Sequence, residues 1–159
     1  MFSKRTIVVL AILLTGGMIA ASTAFAAGSG SSSQRPARKS DYTKAVAAVK
    51  AGNFSTAIAL MEKVVARDSR HADGYNYLAF SHRKLGHFDL AMKYYRKALA
   101  IDAKHKGAHE YIGELYLQLG NLAKAKAHLA RLDSICWFGC EAYDDLKAAI
   151  KRHEAKKGG

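Results

Sequence analysis

The sequence has only one proline, Pro36, and two cysteines, Cys136 and Cys140, among its 159 residues. Proline interrupts helices and strands, so no proline breaks the chain after residue 36. This part also lacks the alternation of apolar and polar residues that is typical of a half-buried strand. We therefore predict an all-α fold after the N-terminal region.

The sequence also lacks the patterns of common catalytic sites. It has no zinc-protease pattern, no phosphate-binding glycine loop and no nucleophile-base motif. Ser81 and His82 are adjacent, but adjacent helical residues face different directions. No histidine follows Cys140 directly, which excludes ordinary haem attachment. We expect no enzymatic activity, no catalytic residue and no cofactor.

The seven histidines do not form a recognisable metal motif. His105 and His109 are one helical turn apart. His71 and His105, however, are separated by 34 residues, the step of the repeat described below, which indicates that both hold a structural position before a helix. We interpret the histidines as structural or surface residues and predict no metal site.

Acidic residues are scarce, with 13 Asp and Glu against 25 Lys and Arg and a formal net charge of +12. Nucleic-acid-binding proteins often have such an excess, but these basic residues are spread over several predicted helices and the tail. We expect no nucleic-acid partner. The charge predicts a weak attraction to anionic membrane or cell-wall surfaces, which salt would screen.

The N-terminal region has the composition of a secretory signal. A basic start precedes an apolar run that ends in the small-residue pattern AFA at positions 24–26, which predicts cleavage after Ala26. Residues 27–40 are rich in Gly and Ser and predict a flexible leader. We expect export, with the bacterial periplasm as the destination. The alternative is an uncleaved N-terminal helix that anchors the protein in a membrane.

The rest of the chain contains a repeat of 34 residues. A glycine marks each copy, an aromatic residue or leucine follows two positions later, and an alanine three positions after that: Gly52, Phe54 and Ala57; Gly86, Phe88 and Ala91; Gly120, Leu122 and Ala125. Glycine can adopt the left-handed conformation that ends a helix, and a small residue lets two helices approach closely. The repeat predicts three helix-turn-helix units that stack on one another.

These residues resemble the tetratricopeptide repeat family over about residues 39–133. The middle copy matches at Tyr75, Leu78, Ala79, Gly86, Phe88, Ala91, Tyr95 and Ala98. The third copy matches at Ile112, Gly113, Tyr116, Gly120, Leu122, Ala125, Leu129 and Leu132. The first copy matches more weakly, because Lys44 stands where a large apolar residue is usual. The resemblance implies a short right-handed solenoid of three repeats, at about 38–71, 72–105 and 106–135.

Both cysteines lie in the segment 136–140, Cys136-Trp137-Phe138-Gly139-Cys140. In an oxidising compartment we expect them to form a disulfide that braces this turn. A redox-active pair, or a metal site that uses the two thiolates, is the alternative. Trp137 and Phe138 are predicted either to be core for the last helix or to form an exposed apolar lip for a partner.

A last helix is predicted from 141 to 154, followed by a basic tail at 155–159. One of its faces carries Tyr143, Leu146, Ala149 and Ile150, while Lys147, Lys151 and Arg152 are expected to point mainly to water. It resembles the solvating helix that closes tetratricopeptide arrays.

In this family the first helices of successive pairs line a groove that holds extended or helical peptides. By repeat position, the groove is predicted to include Tyr42, Val46, Asn76, Phe80, Arg83, Lys84, Glu110 and Glu114. Phe80 is not needed for the packing pattern, so we predict that it anchors a partner; the alternative is that it packs against Tyr42 or Val46 as core. The carboxylate clamp of some members is not carried over, because Tyr42, Val46, Glu110 and Glu114 occupy its positions.

The resemblance therefore implies a non-catalytic scaffold that captures a peptide or protein segment. Phe80 and Tyr42 would make the apolar contacts, and the charged groove residues would set the register of the partner. Two alternatives stay open. One is a thiol-disulfide or metal-handling accessory protein that uses Cys136 and Cys140. The other is a structural module that self-assembles, because repeat arrays can stack end to end.

Overall fold

The computed structural model describes residues 40–157, and the regular structure of these residues is entirely helical. The seven helices are α1 (Asp41–Lys50), α2 (Phe54–Arg67), α3 (Ala72–Lys84), α4 (Phe88–Ile101), α5 (Lys106–Gln118), α6 (Leu122–Ile135) and α7 (Glu141–Lys157). The predicted all-α fold of three helix pairs and a closing helix is confirmed. The predicted signal and nearly all of the leader lie outside the described residues. None of the seven helices is both long and apolar enough to cross a lipid bilayer.

The glycine of each repeat closes the turn within a helix pair. Gly52, Gly86 and Gly120 have φ angles of 75°, 78° and 74°, the left-handed region in which an L side chain is strained. A Cβ added to Gly86 would meet no atom within 4 Å. The backbone conformation, rather than a lack of space, therefore requires glycine at this turn.

The histidines at the shared repeat position cap the helices that follow them. The His71 Nδ1 atom accepts a hydrogen bond from the Gly74 N–H at 3.1 Å, and the His105 Nδ1 atom accepts one from the Ala108 N–H at 3.1 Å. Side chains at this position satisfy backbone donors that have no partner within the helix. The predicted structural role of the two histidines is confirmed.

The helices pack in chain order around two apolar clusters that both include residues of α5. Helices α1 and α2, α3 and α4, and α5 and α6 form the three pairs, and α7 packs against both helices of the third. One core cluster runs from α1 to α5 and a second from α5 to α7. Helices α1, α3, α5 and α7 also contact one another in succession. We call the surface that these four helices form the groove face.

The last helix closes the array through one close contact. It ends at Lys157, three residues beyond the predicted end at Glu154. Its Leu146 side chain is fully buried and lies directly over Gly113 of α5, where an added Cβ would be 2.5 Å from Leu146 Cδ2. The absence of a side chain at Gly113 therefore lets α7 dock close to α5.

Candidate functional site

Phe80 lies on α3 and is only partly buried. The centroid of its ring is 4.8 Å from that of Tyr111 on α5 and 6.1 Å from that of Phe54 on α2. Tyr42 instead pairs with Tyr77, with ring centroids 6.1 Å apart. The aromatic neighbours of Phe80 thus come from α2 and α5, and two cations of α3 also lie beside its ring.

Those cations are Arg83 and Lys84. The Arg83 Cζ atom is 5.3 Å from the centroid of Phe80 and the Lys84 Nζ atom is 5.2 Å from it, within the range of cation–π attraction. The Arg83 side chain is only 3% exposed, and its Nη2 atom lies 2.6 Å from Glu114 Oε2 on α5. A buried guanidinium needs an anionic partner, so this ion pair ties α3 to α5 beneath the groove face.

Glu110 lies one turn before Glu114 on α5 and is 9% exposed. Burial raises the pKa of Glu110 to about 8, and the negative charges of Glu114 and Asp145 add to the rise, while Arg83 opposes it. A carboxyl with this pKa is mostly protonated at neutral pH. The groove face therefore carries less negative charge than the sequence indicates.

Three of the cavities that residues 40–157 form open on the groove face. The first, of about 310 Å³, lies at α1 and is lined by Tyr42, Val46, Lys50 and Tyr77 among others. The second, also of about 310 Å³, lies between the first turns of α5 and α7 and includes Glu110, Lys106, Glu141 and Asp145. The third, of about 400 Å³, lies where α3 and α5 end beside the C-terminal half of α7. Its charged residues are Arg83, Lys84, Glu114, Arg152 and Lys156.

The structure distributes the predicted groove residues among these places. Tyr42 and Val46 line the first cavity, Glu110 the second, and Arg83, Lys84 and Glu114 the third, while Phe80 contacts both cations of the third. Asn76 lines none of these three cavities. It is buried, and a Cβ added to Gly107 would lie 3.2 Å from Asn76 Nδ2. Asn76 therefore packs against the start of α5.

Sequence reasoning missed the contribution of α7 to the groove face. Arg152 and Lys156 are exposed, as expected for Arg152, but they also line the third cavity together with His153. Helix α7 begins at Glu141, 35 residues after α5 begins at Lys106. A step of 35 residues from Glu110, Glu114, Leu117 and Gln118 gives Asp145, Ala149, Arg152 and His153. That register was the signal that could have revealed these residues.

The cysteine-containing turn lies between α6 and α7. The sulfur atoms of Cys136 and Cys140 are 2.09 Å apart, at disulfide distance. Trp137 is 87% exposed and Phe138 is 98% exposed, so the expectation that they are core for the last helix is wrong. The two side chains instead form the exposed apolar lip.

Two pairs of histidines lie outside the groove face. The Nδ1 atoms of His82 and His87 are 3.3 Å apart, and those of His109 and His128 are 3.0 Å apart. Burial lowers the pKa of His128 to about 4, and the neighbouring His109 lowers it further. Among residues 40–157, no group of three or more His, Cys, Asp or Glu side chains is arranged to hold a metal ion.

Comparison with known proteins identifies the fold. Two family models for the tetratricopeptide repeat match residues 42–105 and 82–135. The chain belongs to the tetratricopeptide repeat family. Its three repeats coincide with the helix pairs α1–α2, α3–α4 and α5–α6. No curated protein matches this tetratricopeptide repeat protein.

Solved structures share its architecture at low sequence identity. The type III secretion translocator chaperone SycD of Yersinia enterocolitica has a TM-score of 0.66 at 20% identity, covering 75% of this chain and 84% of SycD. SycD in complex with a peptide of the translocator YopD has a TM-score of 0.64 at 20% identity, covering 74% and 92% of the two chains. The second such domain of human RPAP3, in complex with an HSP70 peptide, has a TM-score of 0.61 at 22% identity, covering 70% and 92%. At these identities the likeness establishes the fold alone.

Proposed function

We propose that this protein is a non-catalytic scaffold that holds a peptide or protein segment on its groove face, outside the cytoplasm. The observation that carries the proposal is the partly buried ring of Phe80, which lies between the aromatic residues of two helices and beside two cations. Partly buried aromatic residues of this kind commonly anchor partners. Similar structures that hold peptides, SycD with a YopD peptide and RPAP3 with an HSP70 peptide, support the same use of the fold.

The charged groove residues would have two different roles. Arg83 and Glu114 pair with each other, so they would hold Phe80 and Tyr111 in place. Lys84 is exposed and has no ion-pair partner among the described residues, which leaves it free to contact the partner. The cavity at Tyr42 and Tyr77 would accept a second apolar side chain of the same segment.

Export is supported by the composition of residues 1–26 and by the cysteine turn. A basic start, an apolar run and a small-residue end are the features of a cleaved signal. A disulfide between Cys136 and Cys140 persists in oxidising compartments. The protein recovered from the exported fraction should therefore have the mass of a chain that begins at Ala27, with no free thiol. A mass that includes residues 1–26 would support the membrane-anchored alternative instead.

Site-specific photo-crosslinking in the source cells tests the groove. A photoreactive amino acid placed at Lys50 or Gln118, both exposed on the groove face, should crosslink the same partner after illumination. Because the segment is held across the face, both positions should label it, and mass spectrometry would identify it.

The matched controls are Lys63 on α2 and Arg96 on α4, which are exposed on the second helices of their pairs. We expect neither position to label that partner. A partner that crosslinks from Lys63 and Arg96 and not from the groove positions would contradict the proposal, as would conversion of a bound segment into product by the purified protein.

A further inference from the structure

The second cavity of the groove face, between α5 and α7, is lined by an excess of acidic groups. It has a volume of about 310 Å³, at the lower end of the range for ligand sites, which suits one side chain better than a cofactor. Its carboxyl groups are those of Glu110, Glu141 and Asp145, and its one ammonium group is that of Lys106. The acids come from both helices, so the cavity acquires this charge only when α7 docks on α5.

Glu110 is the unusual member of this group. It is 9% exposed, and its carboxyl makes neither a hydrogen bond nor an ion pair with a described residue. Buried polar side chains nearly always have a hydrogen-bond partner. Acids in the first turn of α7 complement the helix dipole, but Glu110 lies in the second turn of α5, beyond the reach of that effect. An unpaired carboxyl that lines an open cavity indicates a missing donor.

The cations near Glu110 do not supply this donor. Arg83 is paired with Glu114, and Lys106 is exposed and makes no ion pair with a described residue. The charged and titratable groups around Glu110 are Arg83 of α3, Lys106, Tyr111 and Glu114 of α5, and Glu141 and Asp145 of α7. The acids outnumber the cations. Burial and like charges together therefore keep a proton on Glu110 near neutral pH, with its pKa raised to about 8.

We propose that this cavity binds the guanidinium group of an arginine from a basic peptide segment, with Glu110 and Asp145 as its acceptors. The proposal rests on the proposed function and specifies one residue of the partner. Among residues 40–157 these acids form no group arranged to hold a metal ion, so one small cation does not fit them. A guanidinium spreads its charge over a planar fork of five N–H donors. It can therefore contact carboxylates that come from two helices.

Fluorescence anisotropy on the protein purified in its naturally processed form tests this assignment. The probes are a rhodamine-labelled peptide in which leucines flank one arginine, and the same peptide with citrulline, which has nearly the shape of arginine but no charge. We expect the citrulline peptide to bind at least about tenfold more weakly, because the hydrogen bonds between a charged donor and a carboxylate are lost.

Asp145→Asn should weaken binding of the arginine peptide about fivefold or more, because it removes one carboxylate of the cavity. The matched control is Asp144→Asn, which makes the same change of charge at the neighbouring exposed position of α7, outside the cavity. Its effect should stay within about twofold at physiological salt, where exposed charges are screened. Thermal unfolding of both variants checks that α7 remains docked.

Glu110 provides a second readout, the pH dependence of binding. A guanidinium favours the ionised carboxylate, so the affinity for the arginine peptide should rise about fivefold or more between pH 6 and pH 7.5 as the proton of Glu110 is released. Glu110→Gln keeps the shape of the side chain but cannot ionise. It should bind the arginine peptide more weakly at pH 7.5 and show little of this rise.

Equal binding of the arginine and citrulline peptides, equal losses in the Asp144 and Asp145 variants, or an unchanged pH dependence in Glu110→Gln would overturn the assignment. A lysine peptide that binds as tightly as the arginine peptide would also overturn it, because a compact ammonium group would then suffice. None of these results affects the crosslinking from Lys50 and Gln118. A partner captured there without any role for Asp145 would leave the scaffold standing and remove only the arginine site.

Discussion

At the scale of single residues, the second and third repeats exchange tyrosine and histidine at three packed positions. Tyr75, His82 and Tyr94 correspond by the 34-residue step to His109, Tyr116 and His128. The ring centroids of Tyr75 and Tyr94 are 6.2 Å apart, and those of His109 and His128, at the same two positions of the third repeat, are 5.2 Å apart. The tyrosine rings are stacked and the histidine rings are tilted by 46°, and the third repeat packs two imidazoles, whose ordinary pKa is near neutral, where the second packs two phenols.

This exchange predicts an acid-sensitive third repeat. Burial lowers the pKa of His128 to about 4 and also lowers the pKa of His109. The unfolded chain takes up protons below about pH 6.5 that the folded chain refuses, so stability is complete above that pH and is lost as the pH falls toward 4. We expect a loss of about 1–2 kcal/mol in the free energy of unfolding over this range, after discounting for solvent screening.

The double variant His109→Tyr, His128→Tyr restores the tyrosine pair of the second repeat and should flatten this slope in urea unfolding measured from pH 7 to pH 4. His87→Asn is the control, since Asn121 occupies its position in the third repeat, and it should keep most of the slope. An unchanged slope in the double variant would show that the buried pair is not the source of acid sensitivity.

Glu110 predicts the opposite dependence on pH. Its pKa in the fold is about 8, raised from its ordinary value of 4.5 by burial, Glu114, Asp145 and Glu141 and lowered in part by Arg83. Between these values the folded chain keeps a proton that the unfolded chain has lost, so stability falls as the pH rises through this window.

Glu110→Gln should therefore be more stable than the natural protein at pH 8.5, by about 2 kcal/mol after discounting for partial exposure and screening. The two proteins should have similar stability near pH 4.5. Glu62→Gln, on the exposed side of α2, is the matched control, and it should follow the natural protein at every pH. An identical pH profile for Glu110→Gln and the control would contradict the shifted pKa.

At the scale of elements, α7 takes the place that a first helix of a fourth repeat would have. It contacts α5 and α6, as α3 contacts α1 and α2. Gly113 and Ala79 share one repeat position, and Ala79 is fully buried. Alanine thus fits between α3 and its neighbours, but glycine is required where Leu146 of α7 approaches α5.

Gly113→Ala should consequently lower the free energy of unfolding by about 1–3 kcal/mol, the usual result of overpacking a core. Leu146→Ala alone should also destabilise, because it leaves a cavity. In the double variant the alanine at 113 fills part of that cavity. The free energy of unfolding measured by chemical denaturation should therefore fall by less than the sum of the losses in the two single variants. Strict additivity would show that the two residues do not determine how closely α7 docks.

At the scale of the whole described structure, two core clusters meet at α5. Leu115 belongs to the cluster that runs from α1 to α5, and Leu117 belongs to the cluster that runs from α5 to α7. Repeat arrays are stabilised mainly by contacts between neighbouring units, so damage to one cluster should open its own helices first.

Hydrogen exchange under native conditions can measure this division. Leu146→Ala should reduce the protection of amides in α6 and α7 markedly and leave those of α2, α3 and α4 close to their natural values. Ala91→Gly, in the other cluster, is the matched comparison and should affect α3 and α4 most. A uniform loss of protection along all seven helices in both variants would mean that the array opens as a single unit.

Much of this architecture could be predicted because it depends on local, repeated chemistry. Gly86 ends a helix whatever surrounds it, and His71 and His105 cap the helices that follow them. These requirements recur every 34 residues. The exposure of Trp137 and Phe138 could not be predicted in this way, because an apolar side chain in a short ring can turn inward or outward according to the space that neighbouring helices leave.

The sequence by itself determined the helix pairs, their turns and the packed positions, since each follows from contacts within one repeat or between adjacent copies. Only the tertiary structure decided which charged side chains meet on the groove face. The turn at 136–140 shifts the register of α7 by one residue relative to the 34-residue step, and this shift brings Arg152 and Lys156 beside Arg83 and Lys84. The raised pKa of Glu110 likewise depends on charges from three helices, and these meet only when the chain is folded.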